Sequence, residues 1–380
     1  MTKQVVAFLL DCTDARVIKR MRGFKNNGYQ TVGFSFRRKL YNLEYQPEWN
    51  NISLGETRPR AYLHRSFMML KALMKIAHHR KIISKASFLY VINLDQAFLA
   101  YYAQWISRTK VPIVYEVADI QSPFVSRGLF GKILRWVERY ILNRTHLLVI
   151  TSPAFFISYF KPIQNYRGNY FLLENKLLPP YVPTRIFRGV TGKFSPKRVG
   201  GKQWIVGYFG ILQCQKSLEI IKKVADLLPK QVVFYLRGPA ISANINIKQV
   251  PNIIYGGDYK NPQDLLDIYQ QVDFVWCFDF CQEEHNSRWM LPNRLYEGGY
   301  FNLPMIAPQD FEIGKYVERY KIGWTFEAPY EDSLTIFFKN ITLESYLVVK
   351  KNFEKLPLEQ FASTKDFSRM CMIAEQRCST

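Results

Sequence analysis

Ile205-Val-Gly-Tyr-Phe209-Gly210-Ile-Leu-Gln213-Cys-Gln-Lys216-Ser-Leu218 reads as a short apolar strand, a glycine turn and the opening of a helix. Glycine at the turn permits close backbone approach, and the first turn of a helix presents amides that have no partner inside it. A strand, tight turn and helix in that order is the unit from which parallel sheets are wound. The same alternation recurs on both sides. Upstream, β-branched and aromatic runs predict strands at 5–10, 31–36, 88–92, 113–117, 147–150 and 170–173, with helical patterns between them. Downstream, helices are expected at 217–228, at 263–270 and around Arg294, with strands at 232–236, 253–255, 274–278 and 305–307. Between 177 and 201 the alternation stops and Pro179, Pro180, Pro183, Pro196, Gly189, Gly192, Gly200 and Gly201 crowd together, the composition of a linker. The fold expected is α/β, two Rossmann-like halves joined by that linker. Doubly wound sheets bind ligands beyond the carboxyl ends of their strands, so two such halves would face each other across a cleft lined by strand-to-helix loops.

The chain has 380 residues, enough for two or three domains at about 150 each. With 48% apolar and 16% aromatic residues it is too hydrophobic to be disordered. Its six cysteines are scattered rather than framework-like, which favours a reducing compartment; Cys277 and Cys281, four apart, suit structural roles better than a metal. The run Val5 to Leu10 is short and followed at once by Asp11 and Asp14, unlike a signal peptide. The longest uncharged stretch, 145–160, falls short of the ~20 residues a spanning helix needs. A soluble or peripheral protein is expected.

Lys and Arg number 52 against 31 Asp and Glu, a net charge of +21. The excess is lopsided: residues 1–188 carry 29 basic against 10 acidic side chains, and 189–380 carry 23 against 21. A polybasic half calls for an anionic partner, either nucleic acid or a membrane surface.

Gly210, the following helix start and Lys216 together suit a diphosphate, the alternative being a tight turn with a solvated lysine. Further on, Leu291-Pro-Asn293-Arg294-Leu-Tyr-Glu297-Gly-Gly precedes Leu303-Pro-Met-Ile-Ala307. Pro292 suits the first turn of a helix, and Glu297 then lies one and a half turns in among aromatic and apolar neighbours. One carboxylate takes two hydroxyl donors, so a ribose diol fits it; the alternative is an ion pair with Arg294 three residues before.

These motifs, with Arg237-Gly238-Pro239 ending a strand, resemble the GT-B glycosyltransferases, and within them the retaining family four that builds bacterial exopolysaccharide, lipopolysaccharide and capsule. The resemblance spans nearly the whole chain and is strongest in its second half. It implies that Glu297 binds the donor ribose and that Gly210 and Lys216 hold the donor diphosphate, with Gln213, Gly238, Asn293 and Arg294 alongside. The pattern is incomplete. The first of the family's paired glutamates falls on Trp289, an arginine between glycine and lysine is replaced by Gln213, and a histidine near the reaction centre is replaced by Ala118. The Gly-Gly loop after the first strand is Asp11-Cys-Thr-Asp14-Ala-Arg16 here. Glu116 and Asp119 remain as candidate catalytic carboxylates, a helix N-cap being the alternative for Asp119.

The implied activity is transfer of a sugar from a nucleotide-sugar donor to a lipid-linked oligosaccharide or polysaccharide acceptor, with retention. No cofactor or metal is expected: the chain has no Asp-x-Asp motif, and fixed amides and cations stabilise a leaving diphosphate in place. On this reading 1–188 is a basic domain facing acceptor and membrane, 189–345 binds the nucleotide-sugar, and 346–380 is a helical segment packing back on the first domain.

Residues 128–143 are amphipathic. Leu129, Ile133, Trp136, Val137, Tyr140 and Ile141 share one helical face, and Lys132, Arg135 and Arg139 line the other. Lying between two strands, the segment is expected to pack on a sheet through its apolar face; the same pattern suits a membrane interface. A second basic stretch, Lys71, Lys75, His78, His79, Arg80, Lys81 and Lys85, surrounds Met68, Met69, Leu73 and Met74. With Arg16, Lys19, Arg20, Arg22, Arg37, Arg38 and Lys39 these are cations enough for an anionic membrane surface, so the expected location is the cytoplasm, peripheral at the inner face of the plasma membrane. Two competing classes are weaker. A nucleotide-sugar epimerase of the same fold needs no such charge, and a nucleic-acid-binding protein is unsupported by any helix-turn-helix, RNP or zinc motif.

Overall fold

A computed structural model describes residues 3–38, 44–57, 62–179, 203–240 and 250–376. Two compact units emerge, Met1–Glu174 with Thr364–Thr380, and Asn175–Ser363. The first runs β1 (Gln4–Leu9), α1 (Ala15–Asn26), β2 (Gln30–Arg37), β3 (Asn50–Glu56), α2 (Tyr62–His78), α3 (Arg80–Ile83), β4 (Phe88–Ile92), α4 (Leu94–Ile106), β5 (Ile113–Val117), α5 (Ser122–Val125), α6 (Leu129–Leu142), β6 (Leu147–Ile150), α7 (Pro153–Phe155) and β7 (Tyr170–Leu172). The second runs β8 (Trp204–Phe209), α8 (Gln215–Leu227), β9 (Val232–Arg237), β10 (Ile253–Tyr255), α9 (Leu265–Tyr269), β11 (Phe274–Trp276), α10 (Asn286–Trp289), α11 (Asn293–Tyr300), β12 (Met305–Pro308), α12 (Glu312–Tyr320), β13 (Gly323–Phe326), α13 (Tyr330–Asn340) and α14 (Leu343–Glu354). The last helix, α15 (Asp366–Glu375), returns to the first unit.

Each unit is built on one sheet. The first has seven strands in the order β3-β2-β1-β4-β5-β6-β7 and the second six in the order β10-β9-β8-β11-β12-β13. The pairings are parallel. Central strands such as Phe88-Leu-Tyr-Val-Ile92 are buried along their whole length, because helices cover both faces of a parallel sheet. Both sheets reverse winding direction in the middle, between β1 and β4 and between β8 and β11. That reversal opens a crevice at the carboxyl ends of the two strands concerned.

Right-handed crossovers put α1 on one face of the first sheet and α4 and α6 on the other, since the chain moves toward β2 through α1 and toward β6 through α4 and α6. Asp14 caps α1 by accepting from the amides of Arg16 and Val17. Helix α15 docks against α1: the Phe367 ring lies 4.9 Å from that of Phe24, and a Cβ on Gly23 would stand 2.6 Å from Phe367.

Two strands escaped sequence reading. Only Ile52 and Leu54 are aliphatic in β3, and β13 is the four-residue Gly323-Trp-Thr-Phe326; both are sheet edges, with one neighbour each and weaker burial. The expected junction at 188/189 and most of the linker lie in 180–202, outside the described residues, as do Lys39 and Cys378. The expected returning segment 346–380 divides: α14 stays in the second unit, with Tyr346 and Phe353 in its core, and the return begins at Thr364.

Candidate functional site

In the second unit the crevice between β8 and β11 gathers most of the expected donor residues. Gly210 leaves β8 at φ +128°, and Gly238 leaves β9 at φ +122°. The two turns are laced together: the Gly210 amide donates to Arg237 O at 3.1 Å, Leu212 N to Pro239 O at 2.9 Å, and Gly238 N to Gly257 O at 2.9 Å. A Cβ on Gly238 would stand 2.0 Å from the Gly210 carbonyl oxygen, so contact and conformation both demand glycine there. Gln213 is exposed in the turn before α8.

Lys216 sits in the first turn of α8, where a cation opposes the helix dipole unless an anion compensates it. Here Glu283 does so, its two carboxylate oxygens accepting from Nζ at 2.9 and 2.7 Å, while Nζ lies 4.5 Å from the Phe280 ring centre. The loop after β11 was missed in sequence reading, although it knits the crevice together. Phe278 O accepts from Arg294 Nη2 at 3.1 Å and from Ser217 Oγ at 3.4 Å. Asp279 Oδ2 stands 3.7 Å from Arg294 Nη2, and the Phe280 amide donates to Cys214 Sγ at 3.2 Å. Its only outward sign is the cluster Asp279, Glu283 and Glu284 following an apolar strand.

Helix α11 carries Arg294 and Glu297, both buried, and Asn293, exposed at its start. The alternative ion pair between Arg294 and Glu297 is replaced by other partners. Arg294 packs 4.8 Å over the Tyr208 ring and faces Asp279, and its Nε is buried without a hydrogen-bond partner. Glu297 Oε1 accepts from Asn261 Nδ2 and Oε2 from Tyr269 OH, both at 2.8 Å. A carboxylate has about four acceptor positions, so two neutral donors orient Glu297 and leave capacity for two hydroxyls.

In the first unit Asp11 lies just beyond β1. Its Oδ1 accepts from the Thr13 amide at 3.0 Å and hydroxyl at 2.8 Å, and its Oδ2 is buried without a partner. Asp119, beyond β5, is half-exposed and 3.4 Å from Arg16 Nη1; the cap position of α5 belongs to Gln121, so the N-cap alternative for Asp119 does not hold. Glu116 requires a correction. It is fully buried, bound by Arg20 Nε at 3.1 Å and Nη2 at 2.8 Å, and accepts from Tyr90 OH. Burial alone would push its carboxyl up, but Arg20 outweighs burial and the carboxyl is held below its usual range. Glu116 is a structural anion with no access to a reacting group.

Two further corrections concern the surface. Most of the apolar stripe of α6 does not pack on the sheet: Leu129 is 75% exposed, Ile133 51%, and Trp136 and Tyr140 stand out with them beside Phe130, while of the stripe only Ile141 is buried. The helix is held instead by Gly131, Ile141, Leu142 and Glu138, which are buried. Nor are the three arginines of α1 a free basic face, since Arg20 is held by Glu116, Arg22 by Glu48 and Arg16 by Asp119.

Two parallel sheets, each reversing at its middle, with glycine turns, a lysine and an anchored glutamate at the crevice of the second, define the class of fold: the chain has the fold of the GT-B glycosyltransferases and resembles their family four. No protein-family model matches it. It is 29% identical over 348 residues to the succinoglycan biosynthesis protein ExoL of Rhizobium meliloti (strain 1021), covering 90% of this chain and 86% of that one. Among solved structures, HepE of Anabaena, in complex with UDP and glucose, is similar with a TM-score of 0.70 at 14% identity, over 97% of this chain and 98% of that one. A glycosyltransferase from Rickettsia africae ESF-5 is similar with a TM-score of 0.68 at 12% identity, over 99% and 98% of the two chains.

Proposed function

We propose that this chain transfers a sugar from a nucleotide-sugar donor, a UDP-sugar, onto a lipid-linked saccharide in exopolysaccharide assembly, with retention, at the cytoplasmic face of the plasma membrane. The observation that carries the donor side is the laced pair of turns at Gly210 and Gly238 beside Lys216 and the oriented Glu297. UDP is favoured because HepE was solved with it, and exopolysaccharide because ExoL is named for succinoglycan biosynthesis. The diphosphate meets the amides at the start of α8 and Lys216, which gives up Glu283 to receive it. Arg294 offers a buried donor without a partner. Glu297 takes the ribose hydroxyls. Charge growing on the leaving diphosphate is then met by groups already in place, which lowers the barrier more than water does and needs no metal. Asp11, Arg16 and Asp119 are the polar groups for the acceptor side.

The acceptor membrane is supported by α6, whose exposed apolar stripe alternates with Lys132, Arg135 and Arg139. Among the described residues Arg135 and Arg139 bond to backbone carbonyls, not to carboxylates, so their charge remains for anionic lipid. Neither an epimerase nor a nucleic-acid-binding protein has a use for that stripe.

A thermal-stabilisation screen of UDP-, GDP- and ADP-sugars, followed by transfer of labelled sugar to extracted lipid-linked acceptor, tests the donor and the reaction. Stabilisation by UDP-sugars is expected, and stabilisation by none overturns the donor reading. Flotation with phosphatidylglycerol vesicles is expected to capture the protein and to fail for Ile133→Ala with Trp136→Ala; no capture, or tight DNA binding in its place, overturns the membrane reading.

A further inference from the structure

Cys214 immediately precedes α8, a thirteen-residue helix, and Cys281 lies in the loop after β11. They are 67 residues apart in sequence, yet their sulfurs and a carboxylate oxygen of Asp279 all lie within 4.8 Å of one another. Cys214 is buried and Cys281 exposed. The Phe280 amide donates to Cys214 Sγ at 3.2 Å, and the Cys281 thiol lies close enough to share a proton with it. Donation from Cys281, opposed by burial and helped by Ser217 and the Phe280 amide, lowers the Cys214 thiol to about 6. The pair therefore loses its first proton readily and keeps the second, Cys281 being raised by the same hydrogen bond. Cys277 and Cys371 differ, both pushed up to about 12 by burial among apolar side chains.

The same atoms have the geometry of a soft-metal cage, but the carboxylate among them already has a cation beside it. Arg294 Nη2 is 3.7 Å from Asp279 Oδ2, and the amides at the start of α8 point toward Cys214. An arginine on that carboxylate competes with a divalent cation for it, and the amides at a helix start stabilise a thiolate.

We propose that Cys214 and Cys281 are a redox-active dithiol, closed by small disulfides such as oxidised glutathione, and that closure weakens donor binding; the second part rests on the donor site proposed above. Cys281, the accessible sulfur, attacks the small disulfide while its proton passes to Cys214, and one thiolate leaves and is protonated by water. Cys214 loses its proton to solvent and attacks the Cys281 sulfur, expelling the second thiolate. The two cysteines lose two electrons and two protons, and one small disulfide becomes two thiols. A disulfide has an S–S length of about 2.05 Å, so closure draws the loop that carries Glu283 onto the first turn of α8. Glu283 is thereby fixed on Lys216, and that cation is withdrawn from the diphosphate.

The full chain is equilibrated in reduced and in oxidised glutathione, digested without reduction, and titrated with UDP by calorimetry. Expected are a peptide cross-link joining Cys214 to Cys281, the loss of two titratable thiols, and UDP affinity lower by about tenfold or more, the worth of one charged hydrogen bond, restored by dithiothreitol. Cys281→Ser is expected to bind UDP equally in both buffers. A purified protein carrying stoichiometric Zn²⁺ that Cys214→Ser releases overturns the dithiol, as does an oxidised protein bearing only glutathione on Cys281. A cross-link with unchanged UDP affinity overturns the effect on the donor. If reduced protein binds no UDP, the donor reading fails and takes the gating with it, while the cross-link decides the dithiol independently.

Discussion

Glu138 holds α6 to the first sheet by an unusual arrangement. The helix turns its apolar stripe outward and a carboxylate inward, where Oε1 accepts from Tyr115 OH at 3.2 Å and Oε2 from Tyr159 OH and Gln164 Nε2. Among the described residues no cation joins them. Burial therefore pushes the carboxyl up, and the three donors, though they favour the anion, leave it at about 7 against 4.5 for the ordinary group. The sign follows directly. Between pH 4.5 and 7 the folded chain keeps a proton that the unfolded chain has released, so stability falls as pH rises through that window and is level above it. The difference of 2.5 in pKa corresponds to about 3 kcal/mol. In Glu138→Gln the new amide is uncharged at every pH, and Gln164 Oε1, buried without a partner, is at hand as its acceptor once the Gln164 amide turns over. The variant is expected to match the parent within about 1 kcal/mol at pH 5 and to exceed it by about 3 kcal/mol at pH 8, a rise in Tm of roughly 6–12 °C for a unit of this size. Calorimetric melting of both proteins from pH 5 to 8.5 measures it, and comparison of the pair cancels every other titration. Equal differences at pH 5 and pH 8, or a parent that gains on the variant as pH rises, would refute the reasoning.

Glu116→Gln leaves the Arg20 charge buried without its anion and is expected to cost about 3–5 kcal/mol of stability in urea titrations, with kcat per folded molecule unchanged; lost turnover in folded protein would return Glu116 to the chemistry. Because Arg20 holds that carboxyl down, its contribution is present above the ordinary carboxylate range and is lost as pH falls below it. Gly238→Ala forces a Cβ to within 2.0 Å of the Gly210 carbonyl, so both melting temperature and UDP affinity are expected to drop, and a calorimetric titration equal to the parent's would remove these turns from the donor site. Lys216→Ala is expected to weaken UDP binding by about tenfold. Glu297→Ala, which deletes the acceptor for two hydroxyls, is expected to lower kcat/KM by about a hundredfold or more while melting stays cooperative; near-normal transfer would exclude a ribose role.

The central strands were legible because an uninterrupted apolar run leaves no other interpretation; of the four edges, β7 and β10 were still apolar enough to be read, while the mostly polar β3 and the four-residue β13 were not. Gly210 and Glu297 were visible because their neighbours in sequence are also their neighbours in the crevice. Partners brought in from elsewhere were not: Asn261 and Tyr269 reach Glu297 from 36 and 28 residues away, and Glu283 reaches Lys216 from 67. Glu116 shows the same limit from the other side. A carboxylate at a strand end beside a polar loop looks available for chemistry until Arg20, 96 residues earlier, is folded against it. Helix α6 was misread for a further reason. Periodicity identifies a helix with an apolar face but does not say which way that face points, and here Glu138, counted on neither face, anchors the buried one.

That orientation changes what the excess positive charge of the first half means. On the face covered by α1 and α15, four cations find carboxylates: Arg20 with Glu116, Arg22 with Glu48, Arg16 with Asp119 and Lys3 with Glu375. On the face of α2, α4 and α6, the described contacts are to rings and carbonyls. Lys71 lies 4.5 Å from the Phe67 ring, Arg144 3.7 Å from that of Tyr140, Lys75 donates to Ser53 O, and Arg135 and Arg139 donate to backbone oxygens. Such contacts hold a cation in place without neutralising it. The exposed apolar residues Leu70, Met74, Trp105, Leu129, Ile133 and Trp136 belong to these same three helices, which adjoin through α2 against α4 and through Tyr101 OH donating to Ile141 O. Cations whose described partners are uncharged, set among exposed aromatic and aliphatic side chains, fit an anionic interface with an apolar interior, and they fit a phosphate backbone poorly, because a nucleic acid would leave the apolar side chains in water.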